Sequence, residues 1–210
     1  MPLDLAATAD PKTTAFLISE CQRDVVGDMS RLPALAESAA PAVANVARLA
    51  AGARAAGVQV VHALAGTRPD GKGANVNTRI NAGLRRLAAA APPDPGQDGA
   101  ETVPEIGTLP EDIVLRRMAG MSPFYDNGVD SVLRNLGVKT IVLAGVSLNI
   151  AVPNAVMDAV NRGYVVIVPE DAVAGVPAEY GEAVLRNTIT YLAYLTTTDA
   201  VLDFWASLTP

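Results

Sequence analysis

The chain predicts an α/β fold, a three-layer α/β/α sandwich built on a doubly wound, mostly parallel, six-stranded sheet. Three observations lead there. Short apolar runs alternate with helical patterns from end to end, which is how strands joined by crossover helices read. The runs are apolar almost throughout, as strands covered on both faces must be. Glycines stand just past the helical patterns, at Gly57, Gly137 and Gly163, where a left-handed residue ends a helix. Together they describe a Rossmann-like arrangement.

Residues 1–12 form a mixed tail with Pro2 and Pro11. Residues 13–19 (TTAFLIS) make the first strand, which runs into Glu20, Cys21, Gln22, Arg23 and Asp24 before a loop marked by Gly27, Asp28 and Pro33. Leu35, Ala39, Val43, Val46, Ala47 and Leu49 recur with helical spacing over 34–56. Residues 58–62 (VQVVH) are the second strand. The loop 65–75, with Gly66, Pro69, Gly71 and Gly73, is expected to be the most flexible part of the mouth. Residues 77–91 can be helical, and 92–108 is a Pro-, Gly- and acid-rich connection whose length points to a lid or a subunit contact. The third strand is 112–116 (DIVLR), followed by a short helix over 128–136. The fourth strand ends in Ala144 and Gly145, and its helix starts near Asn149 and runs to Asn161. Residues 164–169 (YVVIVP) are the fifth strand, 177–194 a helix, 196–198 a last short strand, and the C-terminal helix holds Trp205.

Half of the 210 residues are hydrophobic, enough for one domain over residues 1–210 with a full core. A formal charge of −6 without any run of Lys or Arg argues against nucleic acid as a partner, since affinity for phosphate backbones comes from clustered cations. The apolar runs fall far short of the roughly 20 residues of a membrane span, so no membrane partner is expected. No basic segment precedes an apolar run at Met1, so no secretory signal is expected either. One cysteine makes no internal disulfide and fits a reducing, cytoplasmic setting. A small-molecule substrate, uncharged or modestly anionic, is the expected partner.

The stretch 140–158, TIVLAGVSLNIAVPNAVMD, is where chemistry is expected. Ligands of open parallel sheets sit beyond the carboxyl ends of strands, and the N–H groups of a helix start hold negative charge there. With this stretch go TAFLISECQRDVVG (14–27), VLRR and SPF (114–124), DAVNRGY (158–164) and PEDAVAG (169–175), spaced along nearly the whole course of the chain. In this order and spacing the pieces resemble the isochorismatase-like (cysteine hydrolase) superfamily. The resemblance implies hydrolysis of a small molecule and assembly into a homodimer or higher homo-oligomer, for which the region of Val173, Val176 and Tyr180 offers a contact. It puts the cysteine position on Ala151, the acid on Glu20 in place of Asp, and the lysine on Arg117 or, counted back from Ser122, on Met118. Arg117 is preferred, because a cation near Glu20 would orient it and hold an anionic substrate.

A carboxylate at the end of an apolar strand should be partly desolvated, which favours its protonated form and suits general acid work; pairing with an arginine or capping a helix is the plainer alternative. A methyl group at Ala151 offers no nucleophile, only a backbone N–H. Isochorismatases that also lack the cysteine hydrolyse a vinyl ether by protonating it, so the resemblance leaves acid/base catalysis open, on a vinyl ether or in a secondary-metabolite step. The alternative is a catalytically silent relative that binds a metabolite or serves as a scaffold. By resemblance the Val146–Ser147 peptide is cis, and the N–H groups of Ser147 and Ala151 form an anion cradle. Candidate substrate contacts are Gln22, Arg68, Arg79, Phe124, Tyr125, Ser147 and Asn149, with a helix cap the plainer role for Asn149 and solvated loop positions for the two arginines. Cys21 follows Glu20 and should face the other way, as a small buried hydrophobe. His62 reads as a core or capping histidine. Metal-binding members of the superfamily gather an Asp and several histidines, so this single-histidine chain is expected to need no metal and no cofactor.

Overall fold

The computed structural model describes residues 3–68, 70–90 and 96–208. Met1, Pro2, Pro69 and Ala91 to Pro95, which figure in the expectations above, lie outside the described residues. Seven strands form one sheet: β1 (Thr14–Ser19), β2 (Gln59–Ala65), β3 (Ile113–Arg117), β4 (Thr140–Val146), β5 (Val165–Pro169), β6 (Val173–Ala174) and β7 (Tyr194–Thr196). Their order is β3-β2-β1-β4-β5-β7, with β6 paired to β4, and every pairing is parallel. The seventh strand is the two-residue β6, too short to read from sequence.

Alternate residues along each strand go to opposite faces, and over the central strands β1 and β4 both faces are covered, which is why these are apolar throughout, whereas the edge strand β3 alternates between covered and exposed residues. Phe16, Ile18, Val60, Val142, Ala144 and Val146 point to the face of α3 (Pro33–Ala55). That layer also holds α1 (Leu5–Thr8), α2 (Arg23–Val26) and α8 (Thr198–Ser207). Ala15, Leu17, Val61, Ala63, Ile141 and Leu143 point to the face of α5 (Val129–Asn135), α6 (Ala151–Asn161) and α7 (Ala178–Asn187). The helix α4 (Arg79–Ala90) has no buried residue.

Several assignments differ from the sequence reading; among them, β2 runs on to Ala65, three residues past His62. Strand β4 runs on through Gly145 to Val146, and α6 begins at Ala151 after a turn, two residues later than expected. Gly145 is required there: at φ +105° a Cβ would sit 2.2 Å from the Ser19 carbonyl oxygen of β1. The helix expected over 177–194 stops at Asn187, because Thr188, Ile189 and Thr190 break it and Tyr194 is drawn into pairing with Ile167. Thr198, expected to end the last strand, opens α8 instead. Finally, residues 96–108 are no loose connection. Val103 and Ile106 are buried in the α3-side core, and Thr102 forms an antiparallel bridge with Gln22, so the segment is a fixed strap.

Candidate active site

Glu20 and Cys21 leave the carboxyl end of the central strand β1. The Glu20 backbone takes a positive φ of 52°, and its N–H donates to Ala63 O at 3.0 Å. This turn separates the two side chains. Cys21 is fully buried in the α3-side core, where desolvation, with the Glu20 charge adding to it, pushes the thiol up to about 12. Glu20 goes to the other face and accepts a hydrogen bond from Nη2 of Arg117.

Arg117 is the last residue of β3, paired in register with Ala65. Ile113 and Leu115, four and two positions back, pack into the α6-side core, so strand alternation sends Arg117 to that same face. Its side chain is 3% exposed and Glu20's 13%. Burial pushes the Glu20 carboxyl above its ordinary value, and the guanidinium opposes part of that rise. Met118, the other counting for the lysine position, is 48% exposed.

Beside β1, the fourth strand ends in the Val146–Ser147 peptide, which is cis. The Ser19 hydroxyl donates to Val146 O at 2.7 Å and ties the two strand ends together, a contact the sequence signals only as a polar residue closing an apolar run. Half-buried Ser147 offers its carbonyl to the N–H groups of Ile150 and Val152, which turns the chain into α6. Ala151, the first residue of α6, is 1% exposed. Thus the Glu20–Arg117 pair lies at the carboxyl end of the sheet, and the start of α6 follows β4, the strand next to β1 across the point where strand order reverses.

The remaining candidates are placed differently. Gln22 has both amide hydrogens committed, to Asp24 Oδ1 and Ala65 O, each at 2.7 Å, while its carbonyl accepts from Ala65 N–H at 2.8 Å. It clamps β2 to the chain after β1, so its expected substrate contact becomes a positioning role. Arg68 is spent on a bidentate pair with Asp70 and is 62% exposed; Arg79 is exposed at the start of α4. Phe124 is buried in the α6-side core and tilted against Tyr164, whereas Tyr125 is 52% exposed over the Gly120 backbone. Asn149 is not the expected cap, since Ile150 holds that position; it lies against the Gly175 backbone. Val173, expected at a subunit contact, is buried in the chain's own core, and only Tyr180 of that group is fully exposed.

His62 is also fully buried, on the α3 face. Its Nε2 lies 3.2 Å from Asp112 Oδ2 and its Nδ1 3.1 Å from the Thr102 hydroxyl. Sequence reading missed this network, because its members are 40 and 50 residues apart.

Compared with known proteins, residues 14–200 match the model of the isochorismatase domain family. Ureidoacrylate amidohydrolase RutB of Methylorubrum extorquens is 36% identical over 171 residues, a match that takes in 74% of this chain and 66% of that protein's length, so just under two thirds of the relative is spanned. An isochorismatase family protein from Desulfovibrio vulgaris superposes with a TM-score of 0.78 at 26% identity, covering 92% of this chain and 98% of that one. N-carbamoylsarcosine amidase from Thermoplasma acidophilum gives 0.67 at 25% identity, covering 89% and 97%.

Proposed function

The chain belongs to the isochorismatase-like hydrolase family, and from that premise we propose that it hydrolyses a small molecule by acid/base catalysis at Glu20, without a cysteine nucleophile. The observation that carries this reading is the Glu20–Arg117 pair, buried on the α6 face at the mouth of β1. As acid, Glu20 gives its proton to the departing atom; as the carboxylate this leaves, it takes a proton from the attacking water. The water oxygen bonds to the substrate carbon, and the leaving group departs with the proton. Arg117 holds the carboxylate in place and offsets its charge. The N–H groups of Ser147 and Ala151 serve as the cradle for charge that develops on the substrate oxygen.

The relatives weigh on which bond is cut. One is named for ureidoacrylate and another for N-carbamoylsarcosine, so an amide or ureide C–N bond is favoured over a vinyl ether or a secondary-metabolite step. The metabolite-binding alternative draws on Ala151, which supplies no thiol, and on Gln22, whose amide is spent within the protein. Assembly into a homo-oligomer belongs to the same proposal and is tested by light scattering. Among the described residues no helix is long and apolar enough to cross a membrane.

Turnover of amides, ureides and vinyl ethers by the unmodified protein and by Glu20→Gln is the test. A loss of about 10²- to 10⁴-fold in kcat is expected for the variant. Activity that the substitution leaves intact sinks the acid assignment. Saturable binding with no turnover of any of them favours the silent relative.

A further inference from the structure

A guanidinium carries five N–H donors, and the protein engages few of those on Arg117. Nη2 donates to Glu20, Nε reaches Gly120 O at 3.4 Å, and buried Nη1 meets no acceptor among the described residues. A buried donor without a partner costs about 1–3 kcal/mol, and more when charged. This donor sits beside Glu20, the less buried member of the pair, at 13% exposure against 3% for Arg117.

We propose that the unpaired Nη1 edge of Arg117 seats a substrate carboxylate, so that the site takes small organic acids, and that seating the acid frees Glu20 to load a proton. The inference rests on Glu20 and Arg117 being the reacting centre. A planar fork suits a carboxylate better than an amide carbonyl, because two parallel N–H···O bonds form and the charges cancel. Two carboxylates on one cation repel, and one of them gives up its charge. Glu20 is the one that yields, being already biased toward its neutral form by burial. The charged group facing it is Arg117 from β3; the neighbouring Cys21 thiol is turned into the α3-side core, where burial keeps it protonated. The balance is simple: a substrate anion enters, one proton comes from solvent onto a Glu20 oxygen, and Arg117 changes counter-ion.

Calorimetry of the full chain near neutral pH, with propionate and propionamide as probes in buffers of different ionisation enthalpy, tests this. Propionate is expected to bind about tenfold or more tighter than the amide and to take up close to one proton. In Glu20→Gln the acid should bind tighter still, with no proton uptake. Arg117→Met should bind acid and amide alike, with Arg117→Lys in between. Equal binding of acid and amide by the unmodified protein overturns the seat, as does an acid preference that survives Arg117→Met. Should Arg117→Met not fold, Glu20→Gln decides: propionate affinity and proton uptake unchanged from the unmodified protein overturn the proposal. The two readings fail separately. Turnover that survives Glu20→Gln removes the acid and leaves the seat, whereas a missing acid preference with Glu20-dependent turnover removes the seat alone.

Discussion

Two arginines, half-buried Arg54 and buried Arg117, lie one on each face of the sheet and are satisfied to different degrees. On the α3 face Arg54 gives Nε and Nη2 to the two oxygens of Asp112, at 3.2 and 2.6 Å, and reaches the carbonyls of Ile106 and Gly107. Asp112 also accepts from Leu109 N–H at 2.8 Å and meets His62, which in turn meets Thr102. Since Asp112 can only accept, His62 carries its proton on Nε2 and takes the Thr102 hydroxyl on Nδ1, a tautomer assigned from the network. On the α6 face Arg117 has one strong partner and an idle nitrogen. A closed network fastens structure, here the strap 96–108 to α3 and β3. An open one keeps capacity for a ligand.

Removing the carboxylate from the closed network should produce the largest loss of stability. Asp112→Ala leaves a half-buried guanidinium and a buried imidazole without their acceptor, and about 3–5 kcal/mol of unfolding free energy should go, read from urea denaturation. Propionate binding at Arg117 should persist in the folded fraction. If Asp112→Ala were neutral in stability, or if it abolished that binding while the fold survived, the division between the two faces would fail. Glu20→Gln should show the opposite pattern, a large kinetic loss with a smaller effect on unfolding.

A gentler break uses pH. Desolvation, only partly opposed by Asp112, holds the His62 ring below its ordinary value of 6.5. A group with a depressed folded pKa binds fewer protons folded than unfolded, so its contribution is complete above about 6.5 and drains away as pH falls. Asp112, held below 3.8, adds the same sign in a lower window. Stability should therefore decline below about pH 6.5, by less than Asp112→Ala costs, and His62→Asn should flatten the upper part of that decline. Denaturation midpoints measured across the range check this; a slope unchanged in His62→Asn would assign the decline to other groups.

How much of this was legible in the sequence depends on how local each signal is. The strands were readable because both faces of the sheet are covered, so TAFLIS and TIVLAGV advertise themselves without reference to any partner. The end of β1 was readable as a candidate site because Glu20 interrupts an apolar run where parallel sheets keep their ligands. The closed network was not readable. Arg54 lies in a long helix and Asp112 in a turn before a strand, and nothing within either segment says that they meet across 58 residues. The strap was missed because its two anchoring side chains, Val103 and Ile106, are too few to make a period among prolines and glycines. Gln22 was read by resemblance as a substrate contact, yet a buried amide takes whichever backbone groups lie nearest, and here Ala65 supplies both a donor and an acceptor.

Cys21 provides the smallest expected effect and the finest test of the comparison, because it sits one residue from Glu20 and on the opposite face. With a thiol raised to about 12, roughly one molecule in 10⁵ carries the thiolate at neutral pH. The side chain is fully buried among apolar groups, so Cys21→Ala removes one sulfur from a packed layer, at a cost of about 1 kcal/mol. Turnover should be unchanged, and iodoacetamide should label the folded protein only as fast as it opens. Rapid labelling that kills activity and is blocked by substrate would move the nucleophile to Cys21. It would also mean that the turn at Glu20 delivers both side chains to one pocket, against the burial that now separates them.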